Sequence, residues 1–138
     1  MKTGPNICDF STMDLRIKLL KLSGGNYLIV ITRGLIDAGR FEQILREVAA
    51  TSQSLLNCKI LIDLTDARLR LGPPDIDVLV NGLGHDLFRP DIKIAVVSSE
   101  IDEFDRLRSL SASLCTLGLK VVVFDNAKSA VVWLGNGS

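Results

Sequence analysis

Apolar and polar residues first alternate at Leu15, Ile17 and Leu19, with Arg16 and Lys18 between them, the period of a half-buried strand. Ser23-Gly24-Gly25-Asn26 is a turn signal and Tyr27 to Thr32 is a second strand, so the pair predicts an antiparallel hairpin. Charge on the open face of the first strand would also blunt an exposed sheet edge. From Asp37, a good N-cap, the period becomes helical. Phe41, Ile44, Leu45 and Val48 share one face, with Arg40, Glu42, Arg46 and Glu47 on the other. Glu42 precedes Arg46 by four residues, the favourable order for an ion pair. This helix is expected to end near Thr51 or Ser52.

Lys59 to Leu64 predicts a buried central strand that runs into a polar loop and then a helix start. Within that loop Leu69 and Leu71 alternate with Arg68 and Arg70, as in a short extended segment with its leucines inward. Pro73-Pro74 suits the first turn of a helix, where a missing donor costs nothing. Ile76, Leu79, Val80 and Leu83 give it an apolar face, and Asn81, Gly82 and Gly84 cut it short. Phe88 to Pro90 is a connector and Ile92 to Val97 an apolar strand.

Ser99 and Asp102 read as a capping box for the longest helix, whose stripe is Ile101, Phe104, Leu107, Leu110 and Leu114. Gly118 is expected at its C′ position. Lys120 to Phe124 is the last strand, and Asp125-Asn126 caps a final helix carrying Ala130, Val131 and Leu134. The predicted order is β-β-α-β-α-β-α-β-α: a single α/β domain over 13–135 after a loose lead-in, 1–12. Continuous apolar character in the third, fourth and fifth strands predicts a mostly parallel sheet after the N-terminal hairpin, with right-handed crossovers and helices packed on the sheet.

Composition narrows the function. Lys+Arg and Asp+Glu number 16 each, which argues against a general nucleic-acid or membrane-surface binder while leaving a local basic patch open. The longest apolar runs are far too short to span a bilayer, and the N-terminus has no apolar signal core. Cys8, Cys58 and Cys115 show no CxxC spacing and read as reduced thiols, so a cytoplasmic location is expected.

Catalytic chemistry is thin. His85 is the single histidine, at a helix end where a solvated role is expected, and no metal-ligand spacing surrounds it. Nucleophile-elbow, P-loop and dinucleotide motifs are missing, and Gly82-Leu83-Gly84 ends a helix instead of cradling a phosphate. No catalytic residue, metal or cofactor is expected, and the chain reads as a non-enzyme. The C-terminal strand ends bring Thr32-Arg33, Thr65-Asp66, Ser98-Ser99 and Asp125 to one rim, where helix N-termini favour anions. Arg68 and Arg70 lie just beyond and suit bidentate pairing with a phosphate or carboxylate. The candidate binding set is therefore Arg33, Thr65, Asp66, Arg68, Arg70, Ser98 and Ser99. On the plainer alternative Asp37, Ser99 and Asp125 merely cap helices and the arginines are solvated. Trp133 is offset from the last helix's apolar stripe, as an interface anchor or an edge-packing side chain would be.

The element order, with ILIDLTDA and KVVVFDNAKSAVVWL, resembles the STAS domain superfamily, and more closely its SpoIIAA-like branch of small bacterial proteins, over Leu15 to Leu134. The resemblance implies a regulatory or protein-binding module. In anti-sigma-factor antagonists of this superfamily a D-S-S-G-like turn after the central strand carries a phosphorylated serine. Leu71, Gly72, Pro73 and Pro74 fall at that place, without a hydroxyl, and Thr65 lies several residues earlier. The implied module binds a protein partner without the usual phosphoserine switch. The alternative is a domain for a small anionic or lipid-like ligand, using apolar helix faces and Arg68/Arg70. A homodimer through the first strand's edge or the Trp133 helix is a third reading.

Overall fold

The computed structural model describes residues 7–8, 15–22, 25–83, 88, 91–116 and 118–136, apart from the side chains of Ile7, Cys8, Leu22, Pro73 and Ile101. In chain order the elements are β1 (Ile7–Cys8), β2 (Leu15–Leu22), β3 (Gly25–Asp37), α1 (Ala38–Ser52), β4 (Cys58–Arg70), α2 (Pro73–Leu83), β5 (Lys93–Val97), α3 (Ile101–Cys115), β6 (Lys120–Phe124) and α4 (Ala127–Gly135). The strands lie side by side in that same order; β1, β2 and β3 pair antiparallel, and β3 to β6 pair parallel. This is the expected α/β order, with one strand added inside the lead-in: β1 pairs with β2 at Ile17 and Lys18, so part of the hairpin's edge is covered.

Successive crossovers through α1, α2 and α3 all step one strand in the same direction. Right-handed connections then place all three helices on one face of the sheet. The burial follows. Leu15, Ile17, Leu28, Val30, Ile60, Ile62, Ile94, Val96, Val121 and Val123 point to one face and meet Phe41, Ile44, Leu45, Val48, Leu79, Leu107 and Leu110 from the helices. α4 follows β6 without a further strand and folds back over the other face, where Ala130 and Leu134 pack on Leu61, Ala95 and Val97. Phe124 and Trp133 flank this smaller cluster, their ring centroids 5.8 Å apart. Trp133 is thus half-buried against its own domain.

Local signals explain most boundaries. Asp37 accepts from the Arg40 amide at 2.9 Å and Asn126 from the Ser129 amide at 2.8 Å, so α1 and α4 are capped as expected. Arg46 pairs with Glu42 at 3.0 Å and donates to the Gly82 carbonyl at 2.6 Å, tying α1 to the end of α2. The expected Ser99–Asp102 capping box does not form. The N-cap of α3 is Glu100, with no side-chain cap bond, because the helix starts at Ile101 and leaves Ser99 outside it. Gly118 terminates α3 with a φ of 91°, two residues past the C-cap Thr116 and so one later than expected. His85 lies outside the described residues.

Among the described residues no helix is long and apolar enough to cross a membrane, and no group of three or more His, Cys, Asp or Glu could hold a metal. Cys58 is buried and Cys115 is exposed.

Candidate functional site

The main departure from the sequence reading lies after Leu64. The expected polar loop is strand: β4 continues to Arg70, and β3 continues to Asp37 beside it. β5 ends opposite Asp63, and β2 begins opposite Thr32, so the last third of β3–β4 projects as a two-stranded ribbon beyond its described neighbours. The physical reason is a bulge. Ile31 pairs with Asp63 but Arg33 pairs with Asp66, so β4 carries one extra residue at Leu64-Thr65. The Asp63 carboxylate holds that residue in place by accepting from the Thr65 amide, at 2.9 Å, and from the Thr65 hydroxyl.

The bulge reverses which β4 side chains face inward. Before it Ile60, Ile62 and Leu64 point to the α1–α3 layer; after it Ala67, Leu69 and Leu71 do. β3 has no extra residue, so Ile36 follows Leu28 and Val30 inward. The inward leucines expected at 69 and 71 are both buried. Even-numbered β4 residues consequently join odd-numbered β3 residues on the ribbon's outer face. Three register pairs line it: Arg33 with Asp66, Leu35 with Arg68, and Asp37 with Arg70.

These rows change the rim. Arg33 and Arg70 each stand beside an aspartate across the strands, whereas Arg68 stands beside Leu35, which is 61% exposed. The four helices also supply their own carboxylates at the same end: Asp37 at α1, Asp75 at α2, Glu100, Asp102 and Glu103 at α3, and Asp125 before α4. Helix N-terminal charge is therefore already matched within the chain. The outer face is a central Leu–Arg pair between two mixed-charge rows, and not an anion cup.

The candidate set divides accordingly. Arg33, Asp66, Arg68 and Arg70 share the outer face, and Thr65 sits exposed on the bulge. Ser98 is 1% exposed and belongs to the opposite face, while Ser99 is exposed before α3. Ser98 donates to Glu103 Oε1 at 3.4 Å, and Glu103 Oε2 accepts from the Leu69 amide at 2.8 Å. Glu103 is 4% exposed, a carboxylate clamped between the first turn of α3 and the ribbon. Sequence reasoning missed it because an acidic residue in a helix's first turn ordinarily reads as a solvated dipole partner. Leu35 was missed because it falls between the strand expected to end at Thr32 and the helix expected from Asp37.

At the other end of the ribbon Leu71 is buried, and the Gly72 amide donates to Asp75 Oδ2 at 2.8 Å where α2 begins. Leu71 to Pro74 thus lead into the start of α2, and none of them carries a hydroxyl. Between α1, α2, α3 and the sheet lies an apolar cavity of about 20 Å³, lined by Phe41, Leu83, Phe88, Leu107 and Leu110 among others. That is water-sized, and none of the candidate arginines lines it.

No family model matches the chain, and no curated protein matches it. Among solved structures it is similar to the crystal structure of an uncharacterised protein from the DUF3478 family with a SpoIIAA-like fold, from Shewanella loihica PV-4. The superposition has a TM-score of 0.55 at 17% identity and covers 92% of this chain and 98% of that one. With the element order above, the protein is a single α/β domain with a SpoIIAA-like fold.

Proposed function

We propose that this protein is a non-enzymatic regulatory module of the cytoplasm that binds a protein partner on the outer face of the β3–β4 ribbon, without a phosphoserine switch. The supporting observation is the arrangement of Leu35 and Arg68 at the centre of that face with charged pairs on either side. An apolar–arginine centre ringed by polar residues is the anatomy of a protein interface, in which a few central side chains carry most of the affinity. The ribbon is held for binding by buried Ile36, Ala67, Leu69 and Leu71 and by the Glu103 carboxylate. Ser98 and Glu103 pair a hydroxyl with a carboxylate, but both face the interior, which suits bracing better than attack on a substrate.

The test is a photo-crosslinking residue in place of Leu35 in protein made by its own cells, followed by mass spectrometry. One predominant protein adduct is expected, lost when Arg68→Ala and Arg70→Ala are combined in a chain with unchanged melting. Protein that carries a retained small molecule and yields no protein adduct overturns the reading in favour of the ligand alternative.

A further inference from the structure

The opposite end of the sheet carries a feature that the ribbon does not explain. Lys59, Lys93 and Lys120 occupy one register row on β4, β5 and β6, and Tyr27 on β3 extends the row. Their side chains share the α4 face, and neighbouring strands lie about 4.8 Å apart, so the three lysine Cα atoms span roughly 10 Å. Like charges directly opposite each other destabilise a sheet. Burial, and then the charges of Lys59 and Lys120, hold the Lys93 amine below its ordinary value of 10.5.

Part of the row has a structural role. The Lys93 ammonium donates to the carbonyls of Trp133 at 2.7 Å and Asn136 at 3.0 Å, and it lies 4.4 Å from the Trp133 ring centre. It therefore fixes the C-terminus of α4, where a cation is favoured. The Lys59 ammonium is 5.3 Å from the Tyr27 ring centre, and a Cβ on Gly135 would be 3.7 Å from the Tyr27 hydroxyl. The row, the tyrosine and the end of α4 thus converge.

Charge over the whole molecule points the same way. Around the strand C-termini, among the described residues, stand Asp37, Asp63, Asp66, Asp75, Glu100, Asp102, Glu103 and Asp125 against Arg33, Arg40, Arg68, Arg70 and Lys128. Around the strand N-termini, among the described residues, Lys21, Lys59, Lys93 and Lys120 stand against Asp91. A net charge of zero conceals two poles of opposite sign. A field of this kind gathers anions at the lysine end.

We infer that Lys59, Lys93 and Lys120, with the Tyr27 hydroxyl, form a binding site for a phosphoryl group, carried by a free small molecule or by a lipid headgroup. The spacing of the lysines suits a group with several charged oxygens better than a single carboxylate. The site is separate from the ribbon and lies at the other end of β4, so a partner and a phosphorylated ligand have independent places on the molecule.

Trp133 is the single tryptophan and touches the site through Lys93, so its fluorescence reports occupancy. The full chain is titrated with pyrophosphate at low ionic strength, with potassium chloride at matched ionic strength as the control. In parallel it is sedimented with phosphatidic-acid-containing and pure phosphatidylcholine vesicles. A saturable response with a Kd of about 1 mM or tighter is expected from pyrophosphate or from the anionic vesicles. Response to the first assigns a free ligand, and response to the second alone assigns a headgroup. Lys59→Ala combined with Lys120→Ala leaves the Lys93 contacts to α4 in place and should weaken binding at least tenfold at unchanged melting, whereas Lys128→Ala on α4 should not. No saturable response in either arm overturns the inference. So does equal binding by the double variant, or equal loss in the Lys128 variant, either of which would mean diffuse attraction only.

Discussion

Replacing Glu103 tests whether the ribbon is braced or merely continuous with the sheet. In Glu103→Ala the Leu69 amide loses a buried carboxylate 2.8 Å away, and Ser98 loses its partner. A hydrogen bond to a charged group is worth about 1.5–3 kcal/mol, and a buried amide left unpaired costs about 1–3 kcal/mol, two descriptions of overlapping effects. Loss of an acidic residue from the first turn of α3 adds about 0.3–1 kcal/mol. The sum is about 2–4 kcal/mol, set against the cost of burying a carboxylate, which alanine removes. Glu103→Gln keeps an oxygen for the Leu69 amide and should cost about 1 kcal/mol. With a urea slope of about 2 kcal/mol per molar, the alanine variant should unfold roughly 1–2 M earlier than the parent. Hydrogen exchange locates the effect: protection of the Leu69 amide should fall well before that of Ile60 and Ile62 in the same strand. An alanine variant within 0.5 kcal/mol of the parent, with unchanged exchange at Leu69, would refute the brace.

Three further outcomes follow from particular contacts. Thr32 is 1% exposed and its hydroxyl has no partner among the described residues, so Thr32→Val should be neutral or stabilise by up to about 1 kcal/mol in urea; a clear loss would place a hidden partner there. Gly25 has a φ of 135°, and a Cβ on it would stand 2.5 Å from the Asn57 carbonyl oxygen, so Gly25→Ala should destabilise by at least the roughly 1–3 kcal/mol of a strained backbone; a neutral result would mean that the turn relaxes freely. The native Lys93 amine releases its proton below the unfolded value, so the unfolded chain binds more protons between the two, and stability should rise with pH across that alkaline window. Lys59→Gln with Lys120→Gln should flatten the rise in calorimetric melts, and an undiminished slope would exclude the two neighbours as causes.

How far the chain could be read depended on whether a signal was local. Period and caps located every strand from Leu15 onward and all four helices, because each apolar run and each of Asp37 and Asn126 acts on its own neighbours. The ribbon was legible only in the inward leucines at 69 and 71, for the opposite reason. Thr65 to Arg70 is polar at alternate positions, and its strand state depends on pairing with Arg33 to Asp37, more than thirty residues earlier. The bulge then turned the arginines away from Ser98, so residues that share one end of the sheet do not share one face. Ser99 failed as a cap because α3 begins at Ile101, a matter of backbone path that the sequence motif does not determine. The lysine row was equally unreadable, since Lys59, Lys93 and Lys120 are far apart in sequence and meet only through the strand register.

The bulge also bears on the proposal that the ribbon binds a partner without a switch residue at its end. A regulated turn needs a hydroxyl in an exposed loop that a kinase can reach and that can rearrange once charged. Here the chain after Leu64 is committed to pairing, Leu69 and Leu71 are buried, and the Asp75 carboxylate holds the Gly72 amide at the start of α2. A phosphate on Thr65 would sit within reach of the Asp63 carboxylate that now accepts its hydroxyl, a like-charge contact that would oppose the bulge. Phosphorylation at Thr65 would therefore unlock the ribbon's register instead of adding a docking charge. If the ribbon is the binding face proposed above, its stability governs partner binding, and Glu103 is the group that braces it from the interior.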